Sequence, residues 1–321
     1  MVYSKVLVTG GAGFIGSHLV DRLLDEGFEV WVLDDFSAWG TENIIHRMDD
    51  KHFHLVHGDI RDVNVIDKIV ENVDAVFHLA ALVDVGLSIK NPILFNDVNV
   101  VGTLNLLKSC LDFNVDKFIF SSSAAVYGDS ELAQKKESMI LKPVSPYGVS
   151  KFAAERYVQM FNKLYDLQTI CLRYFNVYGP TRGFRLNYGG VVTRFINQLL
   201  NGESPIIHGD GEQSRDFVHV ADVVSANMLA LKKSDAVGKV FNIATGITTT
   251  IYEIAKKLQR TTKMEHLEPI FTEARLGDIK HCTADISKAE KFLDFHPQVN
   301  IEDGLSELVK FRLKQLKTNQ K

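Results

Sequence analysis

The sequence predicts an α/β protein with a doubly wound parallel sheet. Over the first 175 residues, short apolar runs alternate with longer stretches of helical periodicity. Residues 6–8 and 75–77 are apolar at every position, which indicates strands that are buried on both faces. A parallel sheet with helices on both sides accounts for both observations.

The elements of this sheet can be assigned in order. We predict strands at residues 5–9, 29–33, 53–57, 75–79, 117–121 and 169–174, with helices between them, as at residues 14–25 and 92–113. After Asn176 the pattern loosens into glycine-rich loops and shorter helices. We therefore expect a domain at residues 1–175, to which later segments return, and a smaller α/β region at residues 176–321, with a cleft between them.

Composition and charge exclude several classes of protein. The chain has 321 residues, of which 45% are hydrophobic and 24% are charged, and its net charge is only -4. The sequence lacks the long basic runs that are typical of proteins that bind nucleic acids or membrane surfaces. We expect no signal peptide, because a strand-like run and a glycine loop follow Met1 closely. No apolar stretch approaches the roughly 18 residues that a membrane span needs. We expect a cytoplasmic protein.

Neither a disulfide framework nor a metal site is expected. Cys110, Cys171 and Cys282 are widely spaced and form no C-x-x-C pair. His52, His54 and His57 resemble metal ligands, but alternation along a strand separates their faces, and no carboxylate or cysteine completes the set.

A glycine-rich loop follows the first strand and opens the first helix. Residues 9–16 read Thr-Gly-Gly-Ala-Gly-Phe-Ile-Gly, with glycines where a tight turn, a nearby pyrophosphate and close helix–strand packing need them. The next strand ends at Asp34 and Asp35, about 20 residues on, where an acidic side chain accepts hydrogen bonds from an adenosine ribose. A carboxylate at this position repels the 2′-phosphate of NADP, so the acidic residues predict NAD as the cofactor.

A second motif supplies groups for moving a proton. Tyr147 and Lys151 stand four residues apart, and the serines at 121–123 end an apolar run. Spacing of i, i+4 places the phenol and the ammonium on one face of a helix, where the cation favours the phenolate. A tyrosine titrates near pH 10, so a base that works near neutrality needs that help.

At this point the chain resembles the extended short-chain dehydrogenase/reductase family, and within it the nucleotide-sugar 4-epimerases. The resemblance runs nearly from end to end. It rests on the glycine loop 10–16, Gly58-Asp59-Ile60, His78-Leu-Ala-Ala81, Asn99-x-x-Gly102-Thr103, Ser121 to Gly128, Tyr147-x-x-x-Lys151, Arg173-Tyr-Phe-Asn176, Arg215-Asp216 and Arg275-x-Gly277-Asp278.

The resemblance implies that residues 1–175 bind NAD. Asp59 and Ile60 would flank the adenine, although Asp59 can also be a helix N-cap. Phe175 would lie near the nicotinamide, and Lys151 would hold its ribose. The implied cofactor contacts are Gly10, Gly13, Phe14, Ile15, Gly16, Asp34, Asp35, Asp59, Ile60, Leu79, Ala80, Ala81, Asn99, Ser121, Tyr147, Lys151 and Phe175.

The resemblance also implies that residues 176–321 mainly bind a UDP-sugar. Ser123 would hydrogen-bond the sugar's 4′-hydroxyl and Tyr147. The planar guanidinium groups of arginines would hold the diphosphate. The implied substrate contacts are Ser123, Tyr147, Asn176, Val191, His208, Arg215, Arg275, Asp278 and Cys282, and the implied catalytic residues are Ser123, Tyr147 and Lys151. Val83 stands where well-known relatives carry a lysine near the cofactor, so that contact is not expected. His208 stands where an aromatic residue often packs on the uracil, though a loop histidine is the plainer account.

Two positions narrow the expected reaction. Relatives that eliminate water from the sugar carry an Asp-Glu pair after the serine motif, whereas this chain has Ala124 and Ala125. Without a local acid, elimination and decarboxylation are not expected, which leaves epimerisation at C4. Cys282 falls where relatives restricted to plain hexoses carry a tyrosine, so we expect room for a 2-acetamido group. Cys282 can equally be a small buried apolar residue.

Alternatives remain for the substrate and for the class of protein. The chain could act on another nucleotide sugar, such as UDP-glucuronate, or could be a non-catalytic NAD-binding sensor, against which the complete set of Ser123, Tyr147 and Lys151 argues. The resemblance also implies a homodimer through helices near residues 93–113 and 147–165.

Overall fold

The computed structural model describes residues 3–129, 132, 134–183, 190–274 and 280–318. Its strands are β1 (Lys5–Thr9), β2 (Glu29–Asp34), β3 (Phe53–His57), β4 (Ala75–His78), β5 (Lys117–Ser123), β6 (Gln134–Lys135), β7 (Gln168–Tyr174), β8 (Asn176–Tyr178), β9 (Ile206–His208), β10 (Ser214–Arg215), β11 (Phe217–His219), β12 (Val240–Ile243), β13 (Thr249–Thr250), β14 (Ile270–Thr272) and β15 (His281–Ala284).

Helices pack between and around these strands. They are α1 (Phe14–Asp25), α2 (Val63–Val70), α3 (Val85–Lys90), α4 (Pro92–Asn96), α5 (Gly102–Asp112), α6 (Pro146–Tyr165), α7 (Gly190–Leu200), α8 (Val220–Lys232), α9 (Ile251–Thr262), α10 (Ser287–Leu293) and α11 (Ile301–Thr318). Short 3-10 turns cover Ile45–Arg47, Ala124–Tyr127 and Ser234–Ala236.

The main sheet has seven strands in the order β12-β7-β5-β4-β1-β2-β3, and every neighbouring pair is parallel. The strand order reverses between β1 and β4. In open α/β sheets, ligands bind beyond the carboxyl ends of the strands at such a reversal. The predicted fold class is confirmed, and all six predicted strands are present with ends shifted by at most two residues.

Both faces of the sheet are buried, as the consecutive apolar residues predict. On β1, the side chains of Val6 and Val8 lie in one core cluster and that of Leu7 lies in a second. A third cluster, away from the sheet, joins α7, α9 and α11 around Phe195.

The predicted helix at residues 92–113 is divided into three segments. A π-helical segment at Asp97–Val101 lies between α4 and α5. Within this wider turn, the Asn99 side chain accepts a hydrogen bond from the Leu82 backbone nitrogen (2.8 Å) and donates one to the Leu82 carbonyl (2.9 Å). Such π segments inside α-helices occur often at functional sites.

Later segments complete the architecture. β12 forms the edge of the main sheet beside β7, although about 65 residues separate the two strands. The other strands form a four-stranded sheet, β13-β10-β15-β6, and two pairs, β11-β8 and β14-β9. No helix in the described part of the chain is long and apolar enough to cross a membrane.

Candidate active site

A cleft of about 380 Å³ opens at the carboxyl ends of the central strands. Its walls come from the glycine loop, the ends of β2, β4 and β5, the start of α6 and the segment after β7. Every residue expected to contact the cofactor lines this cleft except Asn99. The Asn99 side chain instead hydrogen-bonds the backbone of the loop that follows β4. Further lining residues, which the sequence did not indicate, are Leu33, Ser37, Ala38, Trp39, Leu82, Val98, Ser122, Tyr174 and Val177.

The glycine loop is shaped by close backbone packing. Gly10 has a positive φ of 70°, and a Cβ atom there would lie 2.7 Å from the Ala80 backbone nitrogen. At Gly16 a Cβ atom would lie 2.1 Å from the Gly10 carbonyl oxygen. The loop therefore brings α1 directly against the end of β1 and turns the first backbone N–H groups of α1 toward the cleft.

Replacing Gly16 with alanine tests this packing. The added methyl group must displace the Gly10 carbonyl, so we expect Gly16→Ala to destabilise the fold by about 1–3 kcal/mol and to weaken NAD binding. Gly86→Ala is the matched control, because Gly86 lies in α3 with space around it apart from an Asp84 oxygen 3.3 Å away. Denaturant unfolding and NAD titration check both variants, and equal behaviour would contradict the packing argument.

Asp34 and Asp35 follow β2 in different settings. The Asp34 carboxylate accepts hydrogen bonds from the backbone nitrogens of Ala12 and Phe36, each at 2.9 Å. Burial raises the pKa of Asp34, and these two bonds lower it in part. Asp35 is exposed and accepts from Ser37. Asp34 thus ties the glycine loop to β2 while it borders the cleft.

The helix-cap interpretation of Asp59 is wrong. The N-cap of α2 is Asp62, whose side chain accepts from the Asn64 backbone nitrogen. Asp59 lies one turn earlier and pairs with Arg61 at 2.5 Å. That pairing lowers the pKa of Asp59. Arg61 bonds both carboxylate oxygens, and Asp59 lines the cleft together with Ile60.

Ser123, Tyr147 and Lys151 line the cleft together. Helix α6 begins at Pro146, where the Ser145 hydroxyl caps the Gly148 backbone nitrogen. This start places Tyr147 in the first turn, facing the end of β5. The Tyr147 hydroxyl lies near the Ser123 side chain, which lowers the pKa of Tyr147 in part.

The electrostatics of these groups differ from the prediction. Burial raises the pKa of Tyr147, and the group that lowers it in part is Ser123 rather than Lys151. Burial also lowers the pKa of Lys151 to about 7, against the opposing effect of Glu155. In the protein alone, the phenol is therefore held in its protonated form, and Lys151 loses its proton more readily than an ordinary lysine.

A buried ionic network stands behind Lys151. Glu155, one helical turn further along α6, pairs with Arg173 of β7 at 2.6 Å and accepts from the Ser122 hydroxyl at 2.6 Å. Arg173 also donates to the Tyr127 hydroxyl at 2.8 Å. This network was not predicted from the sequence, although Glu155 follows Lys151 at the same i, i+4 spacing by which Lys151 follows Tyr147.

His78 orders the loop on the opposite wall. Thr103 donates to the Asn99 carbonyl (2.6 Å), so its oxygen accepts from His78 Nε2 (2.9 Å). His78 Nδ1 then accepts from the Thr9 hydroxyl (2.7 Å), which itself accepts from the Ala80 backbone nitrogen (3.2 Å). Burial lowers the pKa of His78 to about 3, so the ring is neutral and structural.

Apart from Ser123 and Tyr147, the described residues expected to bind substrate do not line the cofactor cleft. Asn176 begins β8 and is exposed, Val191 lies at the start of α7, and His208 ends β9 with its Nδ1 2.9 Å from the Thr272 hydroxyl. Arg215 and Cys282 are register partners on adjacent strands. Cys282 is buried in one apolar cluster with Phe175, which lines the cleft. Arg275 and Asp278 lie outside the described residues.

The cleft fits a dinucleotide on its own geometry. Gly10 and Gly16 leave no space for side chains where a pyrophosphate would approach. Lys151 is buried with its Nζ 4.7 Å from the Phe120 ring centroid, and no acceptor within the described residues bonds it. A buried ammonium needs acceptors, and the ribose hydroxyls of a bound cofactor would supply them.

Metal ligation is not a feature of the described residues. They contain no group of three or more histidine, cysteine, aspartate or glutamate side chains arranged to hold an ion. His54 instead lies 3.0 Å from a Glu29 oxygen and stacks on Trp31.

Comparison with known proteins gives the family. Residues 6–244 match the model of the NAD dependent epimerase/dehydratase family. A putative UDP-glucose 4-epimerase of Methanocaldococcus jannaschii is 38% identical over 95% of this chain and 97% of its own. The UDP-glucose 4-epimerase of Thermotoga maritima, solved with UDP-glucose, is 39% identical, with a TM-score of 0.91 over 97% of this chain and 99% of its own.

A second solved structure carries a different sugar nucleotide. The UDP-N-acetylglucosamine 4-epimerase of Methanobrevibacter ruminantium, in complex with UDP-N-acetylmuramic acid, is 38% identical, with a TM-score of 0.92 over 98% of this chain and all (100%) of its own. The glycine loop, the convergent Ser123, Tyr147 and Lys151, and these full-length similarities agree. The chain belongs to the NAD-dependent epimerase/dehydratase family, and its cofactor is NAD.

Proposed function

We propose that the protein interconverts UDP-sugars at C4 through a transient 4-keto intermediate. The observation that carries the proposal is the convergence of Ser123, Tyr147 and Lys151 on the cofactor cleft, beside Ala124 and Ala125. The first three residues serve oxidation of a secondary alcohol, and the two alanines supply no acid that would divert the ketone.

In the proposed reaction, Tyr147 takes the proton of the sugar's 4′-hydroxyl while the hydrogen on C4 leaves as hydride. Ser123, which lies near Tyr147, would hydrogen-bond the same sugar hydroxyl and hold it against the base. When bound, NAD supplies the hydride acceptor and a positive charge beside the phenol. That charge offsets the burial that raises the pKa of Tyr147.

Return of the hydrogen to the other face of C4 completes epimerisation. The 4-keto sugar turns in the cleft, C4 regains hydride on its opposite face, and Tyr147 returns the proton to O4. The cofactor ends the cycle oxidised, so it need not leave between turnovers. Lys151 would hold the nicotinamide ribose, and the Glu155–Arg173 pair fixes the helical turn behind it.

Elimination of water is disfavoured by the local structure. Ala124 and Ala125 form the start of the 3-10 turn that Ser123 caps through the Ala125 backbone nitrogen at 3.1 Å. An acid is needed near C6 for loss of water from C5 and C6, and these methyl groups provide none. The ketone therefore has no catalysed route other than reduction.

Incubation with UDP-glucose, UDP-galactose, UDP-GlcNAc, UDP-GalNAc and UDP-glucuronate in turn, followed by chromatography, tests this function. We expect each C4 pair that fits to reach the same equilibrium mixture from either side, without added NAD. Turnover of UDP-glucuronate alone would support the uronic acid alternative. A protein that binds NAD and sugars but converts none would support the sensor alternative.

For the substrate we propose contacts mainly from residues 176–321. Arg215 is the described cation best suited to the diphosphate, because it lies on a short strand beside Cys282, within reach of the wall formed by Phe175. His208 would contact the uracil, and Asn176 and Val191 would line the approach. Arg275 and Asp278 are proposed by resemblance alone.

We further propose that Cys282 leaves room for a 2-acetamido group, so that UDP-GlcNAc and UDP-GalNAc are handled as well as the plain hexoses. Its side chain is small and buried against Phe175 and Tyr127. Cys282→Tyr should abolish turnover of the N-acetylhexosamines while the UDP-glucose/UDP-galactose pair stays active. Cys282→Ser is the size-matched control and should keep both activities. If Cys282→Tyr also keeps both, residue 282 does not limit the size of the sugar.

We propose that the protein is a cytoplasmic homodimer. The support for the dimer is a row of exposed apolar side chains on α3, α4 and α6, among them Ile89, Ile93, Val149, Met160 and Leu164. Leu164→Glu should give a monomer in light scattering, whereas Ile247→Glu, an equally apolar exposed site after β12, should not.

The support for a cytoplasmic location is that Cys110, Cys171 and Cys282 are all buried and form no disulfide.

A further inference from the structure

A second cleft, of about 460 Å³, lies against a different face of α6. Its walls come from α6, β7, β12, α10 and the loop at residues 137–141, and it shares no lining residue with the cofactor cleft. Phe152, Arg156 and Gln159 of α6 line it, roughly a third of a turn around the helix from Tyr147 and Lys151. Nothing in the proposed reaction uses this cleft.

The charges around the cleft are unbalanced. Arg156, Arg173, Lys239 and Lys288 line it, with Glu137 as the facing carboxylate. Arg173 is neutralised by Glu155. One Glu137 oxygen is already engaged, since it accepts from the Asn242 backbone nitrogen at 2.9 Å on the open edge of β12. Glu137 therefore hydrogen-bonds the edge of the main sheet and also lines the cleft.

Three cations remain without a partner of opposite charge. Within the described residues, none of Arg156, Lys239 and Lys288 is in an ion pair, although salt bridges are common elsewhere on the surface. The Lys288 and Lys239 ammonium groups lie over the Phe241 and Phe292 rings, 5.4 and 4.9 Å from the centroids. The Lys239 ammonium also donates to the Asp235 carbonyl, and Arg156 donates to the Gln159 amide oxygen at 2.9 Å. The rings and these neutral acceptors hold the cations beside the cleft without neutralising them.

The cations also act on one another. Burial lowers the pKa of Lys288, and the nearby positive charges of Arg173 and Lys239 lower it further against the effect of Glu137. A cluster of like charges that is partly withdrawn from water is unfavourable until an anion enters it. Compact, multiply charged oxyanions suit such a cluster, because each oxygen can accept from a different cation.

We propose that this cleft is a second binding site that takes a small phosphate-bearing anion between Lys239, Lys288 and Arg156. The site is separate from the diphosphate contacts of the active site, from which α6 and β7 divide it. Its wall includes Arg173, so an occupied site would lie next to the Glu155–Arg173 pair that supports Lys151.

Calorimetric titration with pyrophosphate tests the proposal, with the protein saturated with NAD and UDP so that the active-site phosphate positions are filled. Sodium chloride at matched ionic strength corrects for screening. We expect saturable binding to the wild-type protein, weakened about tenfold in Lys288→Gln, the size expected for loss of one charge-assisted hydrogen bond. Lys288→Arg should retain binding.

Lys291→Gln is the matched control, since Lys291 lies on the same helix but does not line the cleft. It should bind pyrophosphate as the wild type does, and the thermal midpoint and NAD content of each variant report its folding. Absence of saturable binding to the wild type, or equal affinity in Lys288→Gln and Lys291→Gln, would overturn the proposal. A fall in affinity confined to Lys288→Gln and Lys239→Gln supports it.

Discussion

Tyr147→Phe is expected to lose epimerisation by a factor between about 10² and 10⁴, the range that a positioned general acid–base supplies. Tyr147 is the ionisable hydroxyl that faces Ser123 across the cleft, so the phenyl ring keeps the packing and removes the proton carrier. Turnover of UDP-galactose is measured with a coupled assay, and bound NAD is released by denaturation and counted. NAD content and UDP affinity should be unchanged.

Tyr157→Phe provides the control on the same helix, because Tyr157 is 43% exposed and lies away from the cleft. It should keep full activity. A Tyr147→Phe variant that turns over substrate at the wild-type rate would remove Tyr147 as the base. A variant that has lost both NAD and activity would point instead to a role in holding the cofactor.

Arg173→Met is expected to lower the free energy of unfolding by about 3–5 kcal/mol, the cost of leaving one member of a buried ion pair without its partner. The side chains of Arg173 and Glu155 are only 3% and 1% exposed, so water cannot replace the guanidinium. The change also removes a donor from the buried Tyr127 hydroxyl. Guanidinium chloride unfolding followed by circular dichroism measures the loss.

Arg22→Met is the surface counterpart. Arg22 pairs with Glu26 at the same 2.6 Å distance, but its side chain is 59% exposed, and exposed i, i+4 pairs contribute only about 0.3–0.5 kcal/mol. If both substitutions cost the same, burial of the Arg173–Glu155 pair would not be what makes it important. If Arg173→Met is costly only when NAD is present, the network would act on the cofactor site rather than on the fold.

Five of the six predicted strands contain at least three consecutive apolar residues, and β3 has apolar residues at positions 53, 55 and 56. β12 was not predicted, since Asn242 interrupts its apolar run. The structure shows why an amide is tolerated there: Asn242 accepts from the Tyr127 hydroxyl at 2.6 Å and donates to the Lys135 and Asp285 carbonyls at 2.9 and 3.1 Å. Those partners lie more than 40 residues away in sequence, so no local pattern reveals them.

In the site, spacing predicted which groups meet but not their charges. The i, i+4 rule correctly put Tyr147 and Lys151 on the side of α6 that lines the cleft. Burial, which depends on the whole fold, then moves the pKa of each group away from the value that proton transfer requires. Glu155 obeys the same spacing rule, but its importance depends on Arg173, which approaches from another strand.

The position of β12 also constrains how the chain can fold as it is synthesised. When β7 emerges from the ribosome, the outer backbone groups of that strand have no neighbour, because β12 is still about 65 residues from being made. An unpaired parallel edge of this length is a place where another nascent chain can add itself. Substitutions that weaken β12 should therefore first reduce the yield of protein recovered from cells at high expression, before any effect on the chemistry of the finished enzyme.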